Sequence, residues 1–360
     1  MQAALLPLVL ACALPGAQDG LVCSTFSIAA VDTASGECGV AVASRVLAVG
    51  TIVPWVECGS GAVATQALVN VSLGPSGLEL LEGGLSADEA LEILLESDSS
   101  FQDRQLGIVD ADGGSATFTG SGTSAWAGGV SGPGYAIQGN ILTGPEVVAA
   151  MEEAFLGTEG PLAYRLVRAL AAGDSAGGDS RGRQSAAMLV NRPGGGYQGV
   201  GDVLVDIRVD DHADPVGELS RIYALWEPVF MIQVYADAAR EPELGHLAGM
   251  IDRALSSGER DPQTLNAFAW TLAERGLEPE TAVELATEAL MLAPDDTNIM
   301  DTLAEALYAA GRYDEAVAWE AEALRREPDN EWYRDQLAKF TEALESLESR
   351  ERPSPCLRSR

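Results

Sequence analysis

A layered α+β domain followed by an all-helical repeat domain is what the sequence predicts, and three observations predict it. Residues 24–45, STFSIAAVDTASGECGVAVASR, alternate with a period of two on either side of a turn, the mark of a β-hairpin. Strand-like runs come first, then helical runs, then strand-like runs again, an order that suits layered sheets and helices rather than alternating βαβ units. From about residue 236 the strand-like texture stops and a 34-residue period takes over.

In the hairpin, Phe26, Ile28 and Ala30 alternate with Ser27 and Ala29, residues 32–36 supply the turn, and Val40 and Val42 resume the pattern. Residues 51–55 and 61–66 read as further strands around Gly59-Ser60-Gly61. Pro75 opens a helical stretch, and Ser86 with Glu89 three residues on forms a capping box ahead of Ala90, Leu91, Leu94 and Leu95. Residues 105–110 and 115–119 make a second hairpin, while 120–134 is too glycine-rich for regular structure and reads as loop. A strand over 135–139 precedes two helices, 147–155 and 161–172, the latter stopping at Gly173. The final strands are 185–190 and 203–209, joined through Pro193-Gly194-Gly195-Gly196.

Beyond residue 236, Leu265, Phe268, Ala269 and Leu272, then Ala282, Leu285, Ala286, Ala289 and Leu290, sit at helical spacing. LAERGLEPETAVELATEALMLAPDD pairs with LYAAGRYDEAVAWEAEALRREPDN, and Pro294 and Pro328 are 34 residues apart. With small residues at Ala269, Ala282, Ala289, Ala304, Ala316 and Ala323, this pattern resembles tetratricopeptide repeats. The flanking stretches 231–257 and 331–347 serve as caps. The resulting division is 1–24 signal peptide, 25–235 sheet domain, 236–347 repeat domain, and 348–360 disordered tail.

Composition narrows the function classes. The 360 residues carry a net charge of −32 and a single lysine, Lys339. A chain so acidic, without a basic stripe, is a poor ligand for nucleic acid. Residues 3–17, AALLPLVLACALPGA, are apolar, end in small residues and are too short to span a bilayer, so they read as an export signal. Val9-Leu10-Ala11-Cys12 faintly matches a lipoprotein processing box, with Cys12 as the lipidated residue. Among the five cysteines no pair has CxxC spacing, against a zinc site. Cys38 and Cys58 are either a bridge between neighbouring strands or two buried thiols. No GK[ST] phosphate cradle exists, and no cofactor is expected.

TFSIAAVDTASGECGVAVASR, followed by VLAVGTIVPW, GAVATQALVN, GPSGLELL, QLGIVDADG, QGNILTGPEVV, AGDSAGGDSRGRQSAAMLV and VDIRVDDHADPV, resembles the Ntn-hydrolase-like family known as domain of unknown function 1028. The resemblance runs from about Thr25 to about Trp226. It implies a four-layer αββα sandwich of two antiparallel sheets, and it puts Thr25 at the N-terminal-nucleophile position. It supplies no substrate.

The residues themselves support the same chemistry at Thr25. If processing ends just before it, one residue carries both a hydroxyl and an α-amine with a pKa of roughly 8, able to take the hydroxyl proton near neutral pH. Cleavage near Ala17 instead leaves Thr25 internal; Cys23 is a second possible terminal nucleophile. Asn140, Arg45 and Arg183, with Gln184 and Ser185, lie at strand ends or adjoining loops, where each serves either as an oxyanion donor or a group that orients the amine, or as a salt-bridge or turn-stabilising residue. Gly173-Asp174-Ser175-Ala176-Gly177 matches GxSxG but lacks the strand–turn–helix setting of a nucleophile elbow. His246 reads as a surface residue of a repeat helix. His212, within DDHAD, reads either as a cation ligand or as part of a helix start with Asp214 and Pro215. Two functions follow: an exported amidohydrolase acting on a small amide or peptide-like substrate, or a non-catalytic protein whose repeat groove recruits a protein or peptide partner.

Overall fold

A computed structural model describes residues 22–23, 25–236, 247–256 and 260–351. The apolar leader with Cys12, together with Ser24, His246, Cys356 and residues 352–360 of the tail, lies outside the described residues. The chain divides into two compact units after Ser220.

The predicted hairpin is the centre of the first unit. After β1 (Val22–Cys23), β2 (Thr25–Asp32) and β3 (Glu37–Ser44) pair in register from Thr25↔Ser44 to Asp32↔Glu37. Asp32 Oδ1 accepts the Ala34 N–H at 2.9 Å, and Gly36 takes φ +74°, a left-handed conformation that glycine adopts without Cβ strain. The other strands are β4 (Pro54–Glu57), β5 (Gly61–Leu68), β6 (Arg104–Asp110), β7 (Ser115–Thr119), β8 (Gly128–Gly132), β9 (Tyr135–Asn140), β10 (Ser185–Asn191) and β11 (Val203–Val209). One sheet runs β11-β10-β3-β2-β9-β8, the other β1-β5-β6-β7 with β4 on β5. Every pairing is antiparallel.

Both faces of β2 and β3 are covered, which explains why the hairpin is nearly all apolar or small. Ala29, Val31, Val40 and Val42 meet Ala62, Ala64 and Val109 of the other sheet. The opposite face packs on α4 (Leu162–Ser175), while α3 (Glu146–Gly157) covers β8 and β9 of the same sheet. On the other sheet, α1 (Leu73–Glu82) and α2 (Ala87–Ser97) lay Leu78, Leu81, Leu91 and Leu94 against Val63, Leu106 and Ile108. The capping box is present: Ser86 Oγ accepts the Glu89 N–H, and Glu89 Oε2 accepts the Ser86 N–H at 2.9 Å.

Three local expectations are corrected. Residues 120–134 are not all loop, because Gly128–Gly132 forms β8. A Cβ at Gly129 would stand 2.8 Å from Ile137 O and from Thr117 Oγ1, so the glycine is what admits this strand. The strand expected at 51–55 begins at Pro54. Before it, Val49–Thr51 makes a 3-10 turn, with Val49 and Val53 buried among the inter-sheet residues. Helix α4 does not stop at Gly173 but runs to Ser175, and the glycine marks close packing on Met151.

In the second unit, described by itself, the distal part of α5 (Pro215–Ala236) is followed by α6 (Leu247–Ser256), α7 (Pro262–Glu274), α8 (Pro279–Leu292), α9 (Thr297–Ala309), α10 (Tyr313–Arg326) and α11 (Glu331–Glu351). Asp261 and Asp296 each cap a first helix of a pair by accepting two backbone N–H groups. All six alanines singled out in the sequence are fully buried, as closely stacked helix pairs require. The last helix continues to Glu351, so residues 348–351, read as tail, are helical. Among the described residues no helix is long and apolar enough to cross a membrane.

Gly39 supplies a test of the packing on β3. Alanine in a strand interior ordinarily gains on glycine, but a Cβ here would lie 2.8 Å from Val190 Cγ2 and 2.9 Å from the Leu189 carbonyl. Gly39→Ala is expected to cost about 1–3 kcal/mol by overpacking, read as a lower urea midpoint; an unchanged or higher midpoint would contradict this packing.

Candidate functional site

Thr25 opens β2 with Ser44 as its partner on one side and Asn140 on the other. It is 0 % exposed. Its hydroxyl donates to Ser44 Oγ at 3.2 Å, and its carbonyl accepts from Gln66 Nε2 at 3.3 Å. Beside it lies a buried polar cluster contributed by both sheets. Ser27 Oγ donates to Gln66 Oε1 at 2.7 Å and accepts from Gln138 Nε2 at 2.7 Å. Gln66 Nε2 also donates to Gln105 Oε1 at 2.9 Å, which accepts from Asn140 Nδ2 at 3.0 Å as well. Gln105 Nε2 in turn reaches Thr119 Oγ1 and the Gly139 carbonyl, each at 2.8 Å. A carboxamide offers two donors and an acceptor, so a few of them can satisfy one another away from water. A Cβ at Gly107 would fall 2.1 Å from Gln138 Oε1, so that glycine makes the room.

These glutamines were missed in the sequence. The available signal was a glutamine near the end of each of three apolar strands: Gln66 in GAVATQAL, Gln105 in RQLGIVD and Gln138 in YAIQGN.

Of the four predicted site residues, the structure brings Thr25 and Asn140 together as cross-strand partners and gives the two arginines other bonding partners. Arg45 follows Ser44, but its N–H donates to Asp179 Oδ2 at 2.9 Å and its Nη1 to the Arg181 carbonyl at 3.1 Å. Arg183 is ion-paired to Asp174 at 2.7 Å, and that carboxylate holds its guanidinium above the usual range. Ser44, Asp174, Asp179 and Arg183 line a cavity of about 240 Å³ with Phe26. Gln184 donates to Asp211, and Ser185 Oγ accepts the Val49 N–H at 3.1 Å.

Ser175 ends a helix, so GxSxG has no elbow geometry here. His212 Nδ1 accepts the Asp214 N–H at 3.0 Å, and Asp214 Oδ1 accepts the Gly217 N–H at 3.3 Å. DDHAD is therefore a helix start. Among the described residues no three His, Cys, Asp or Glu side chains are grouped to hold a metal. Cys38 and Cys58 are free thiols; burial pushes both up, Cys58 to about 11, which leaves them weak nucleophiles.

The repeat unit has a cleft of its own, about 300 Å³, lined by Asn266 and Trp270 of α7, Asn298, Asp301 and Thr302 of α9, and Trp332 of α11. Trp332 Nε1 donates to both Asp301 oxygens, at 3.2 and 3.1 Å. On the same helices, Lys339 Nζ and Gln336 Nε2 hold Glu305 at 2.7 and 3.0 Å. Glu320 is 0 % exposed, and neither of its oxygens receives a donor. Burial first, then the adjacent Asp301, raises its pKa, so it carries its own proton toward Asp301.

Residues 25–219 match the model described as "Family of unknown function (DUF1028)", and residues 278–347 match the tetratricopeptide-repeat model. A DUF1028 protein of known structure from Silicibacter pomeroyi is 33 % identical, with 57 % of this chain and 89 % of that one covered at a TM-score of 0.52. The first TPR domain of the human RPAP3 protein (16 % identity, 36 % of this chain, 96 % of that one) and the Sgt2 TPR domain from Aspergillus fumigatus (19 %, 39 % and 89 %) each align at a TM-score of 0.30. No curated protein gave a match.

Glu320 makes stability depend on pH. Between the ordinary carboxylate value of 4.5 and about 9, the folded state keeps a proton that the unfolded state releases, so stability is greatest at the acid end and is lost as pH rises. Urea midpoints are expected to fall from pH 5.5 to 9, and Glu320→Gln is expected to flatten that slope. An equal slope in the variant would remove Glu320 as its source.

Proposed function

We propose, for a chain that belongs to the DUF1028 family and so to a family of unknown function, that its sheet domain is an N-terminal-nucleophile amidohydrolase and its repeat domain the partner-binding part. The observation that carries this reading is the setting of Thr25: the first residue of a central strand, between the Ser44 hydroxyl and the Asn140 carboxamide. The helix pairs packed on the two sheets support the four-layer αββα arrangement that such hydrolases use. Export directed by residues 3–17 would supply the processing compartment.

In the intact chain β1 pairs with β5, Val22 opposite Leu68 and Cys23 opposite Ala67, while β2 belongs to the other sheet. Cys23 and Thr25 thus belong to different sheets. Cleavage before Thr25 parts the two and frees the α-amine. The amine takes the hydroxyl proton as Oγ1 attacks an amide carbonyl carbon, and the carbonyl electrons move onto oxygen. Asn140 Nδ2, now on Gln105, or a backbone N–H supplies the oxyanion donor. Collapse breaks the C–N bond, and the amine leaves with the proton held by the α-ammonium. Water then cleaves the Thr25 ester and restores the hydroxyl. The substrate class is a small amide or peptide-like molecule.

A second reading, a non-catalytic interaction protein, is favoured by the complete burial of Thr25 while its amide is in peptide linkage. The experiment is intact-mass analysis of the exported protein, with labelling by an electrophilic amide probe. A chain starting at Thr25 that labels, with labelling cut at least ~100-fold by Thr25→Ala, is the expected result. A mature chain that begins upstream, or one starting at Thr25 that does not label, leaves only the interaction reading.

A further inference from the structure

The polar groups lining the repeat cleft are unevenly satisfied. Trp332 Nε1 is taken by Asp301, and the Thr302 hydroxyl by the Asn298 carbonyl at 3.1 Å. Two acceptors of the lining are less well served. Asn266 is 7 % exposed, and its Oδ1 is buried without a partner, a cost of roughly 1–3 kcal/mol that a folded protein rarely leaves standing. The Asp301 carboxylate receives one N–H, from the Trp332 indole, and the Glu320 carboxyl beside it, with no cation among the described residues bonded to it. Trp270 and Trp332 stand with ring centroids 6.3 Å apart, tilted by 55°. Among the described residues no arginine or lysine lines the cleft, and Lys339 is ion-paired to Glu305.

A ligand for this surface must be rich in N–H donors, positively charged and able to lie on an indole face. An anionic ligand would meet Asp301 with no cation to receive it. A neutral apolar one would leave Asn266 Oδ1 as unsatisfied as before. A guanidinium or ammonium meets all the requirements, since cations are attracted to tryptophan faces and make charge-assisted hydrogen bonds to carboxylates and carboxamides. The net charge of −32 favours the same partner in long-range encounter.

We propose that the cleft between α7, α9 and α11 takes an arginine or lysine side chain of a basic partner segment, held by Asn266 Oδ1, the Asp301 carboxylate and the faces of Trp270 and Trp332. This deepens, and rests on, the reading of the repeat domain as the partner-binding part.

The test is fluorescence anisotropy of the full chain with labelled Gly/Ser-spaced decapeptides bearing three Arg, three Lys, three Gln or three Glu. The Arg or Lys peptide is expected to bind at least about tenfold tighter than the Gln peptide, and to weaken between 50 and 300 mM salt, within the range where exposed charges are screened. Asn266→Leu and Asp301→Asn should each lower that affinity about tenfold. Asn266→Leu should leave the thermal midpoint unchanged or raised, because it deletes an unsatisfied polar atom; that separates lost recognition from lost folding. Basic-peptide binding unaltered in both variants would overturn the proposal by placing the contact elsewhere on the acidic surface. Preference for the Glu or Gln peptide would overturn it while sparing the partner-binding reading. Failure of all four peptides would overturn both, and would leave the hydrolase reading of Thr25 untouched.

Discussion

The first unit depends on the glutamine cluster between its sheets. Two sheets can pack face to face through alanine and valine alone, but such a surface slides easily. Gln66, Gln105 and Gln138 end that freedom, because each carboxamide must find donors and acceptors on the opposite sheet or lose its hydration for nothing. Their bonds to Ser27, Asn140 and the Thr25 carbonyl fix the register of β2 and β9 against β5 and β6. Thr25 is therefore positioned by the same contacts that align the sheets, and a change at Gln66 or Gln138 would disturb stability and site together.

Much of this architecture was legible. The hairpin, the capping box at Ser86 and the helix pairs all express a local period or a local hydrogen bond, which a sequence carries on its face. The 34-residue spacing and the six buried alanines were legible for the same reason: each repeat meets a neighbour of the same kind. What stayed hidden depended on distant partners. Gly129 looks like loop until Ile137 and Thr117 are seen beside it. Gly173 looks like a helix stop until Met151 fills the space above it. The arginines drew attention at strand ends, yet Asp179, Arg181 and Asp174 claim Arg45 and Arg183, and no spacing along the chain reveals that competition.

The repeat unit shows a different economy. Its helices are built on small residues, but around α9 it buries Asp301, Glu305 and Glu320 with one ammonium among them. Like charges at close range cannot all ionise, so one carboxyl stays protonated. Replacing such a group by an apolar residue would ordinarily be neutral or stabilising. Its presence beside Asp301, which lines the tryptophan cleft, fits a surface kept polar for recognition rather than for packing.

Lys339 has a practical consequence. It is the sole lysine of the chain, and its ammonium is clasped by both oxygens of Glu305 and set 4.7 Å from the centre of the Tyr308 ring. Acylating reagents that seek primary amines therefore have one side chain and one backbone terminus to choose between. Apart from the peptide that holds Lys339, a modified peptide can arise only at the first residue of whatever form the molecule takes, and so would reveal where that form begins.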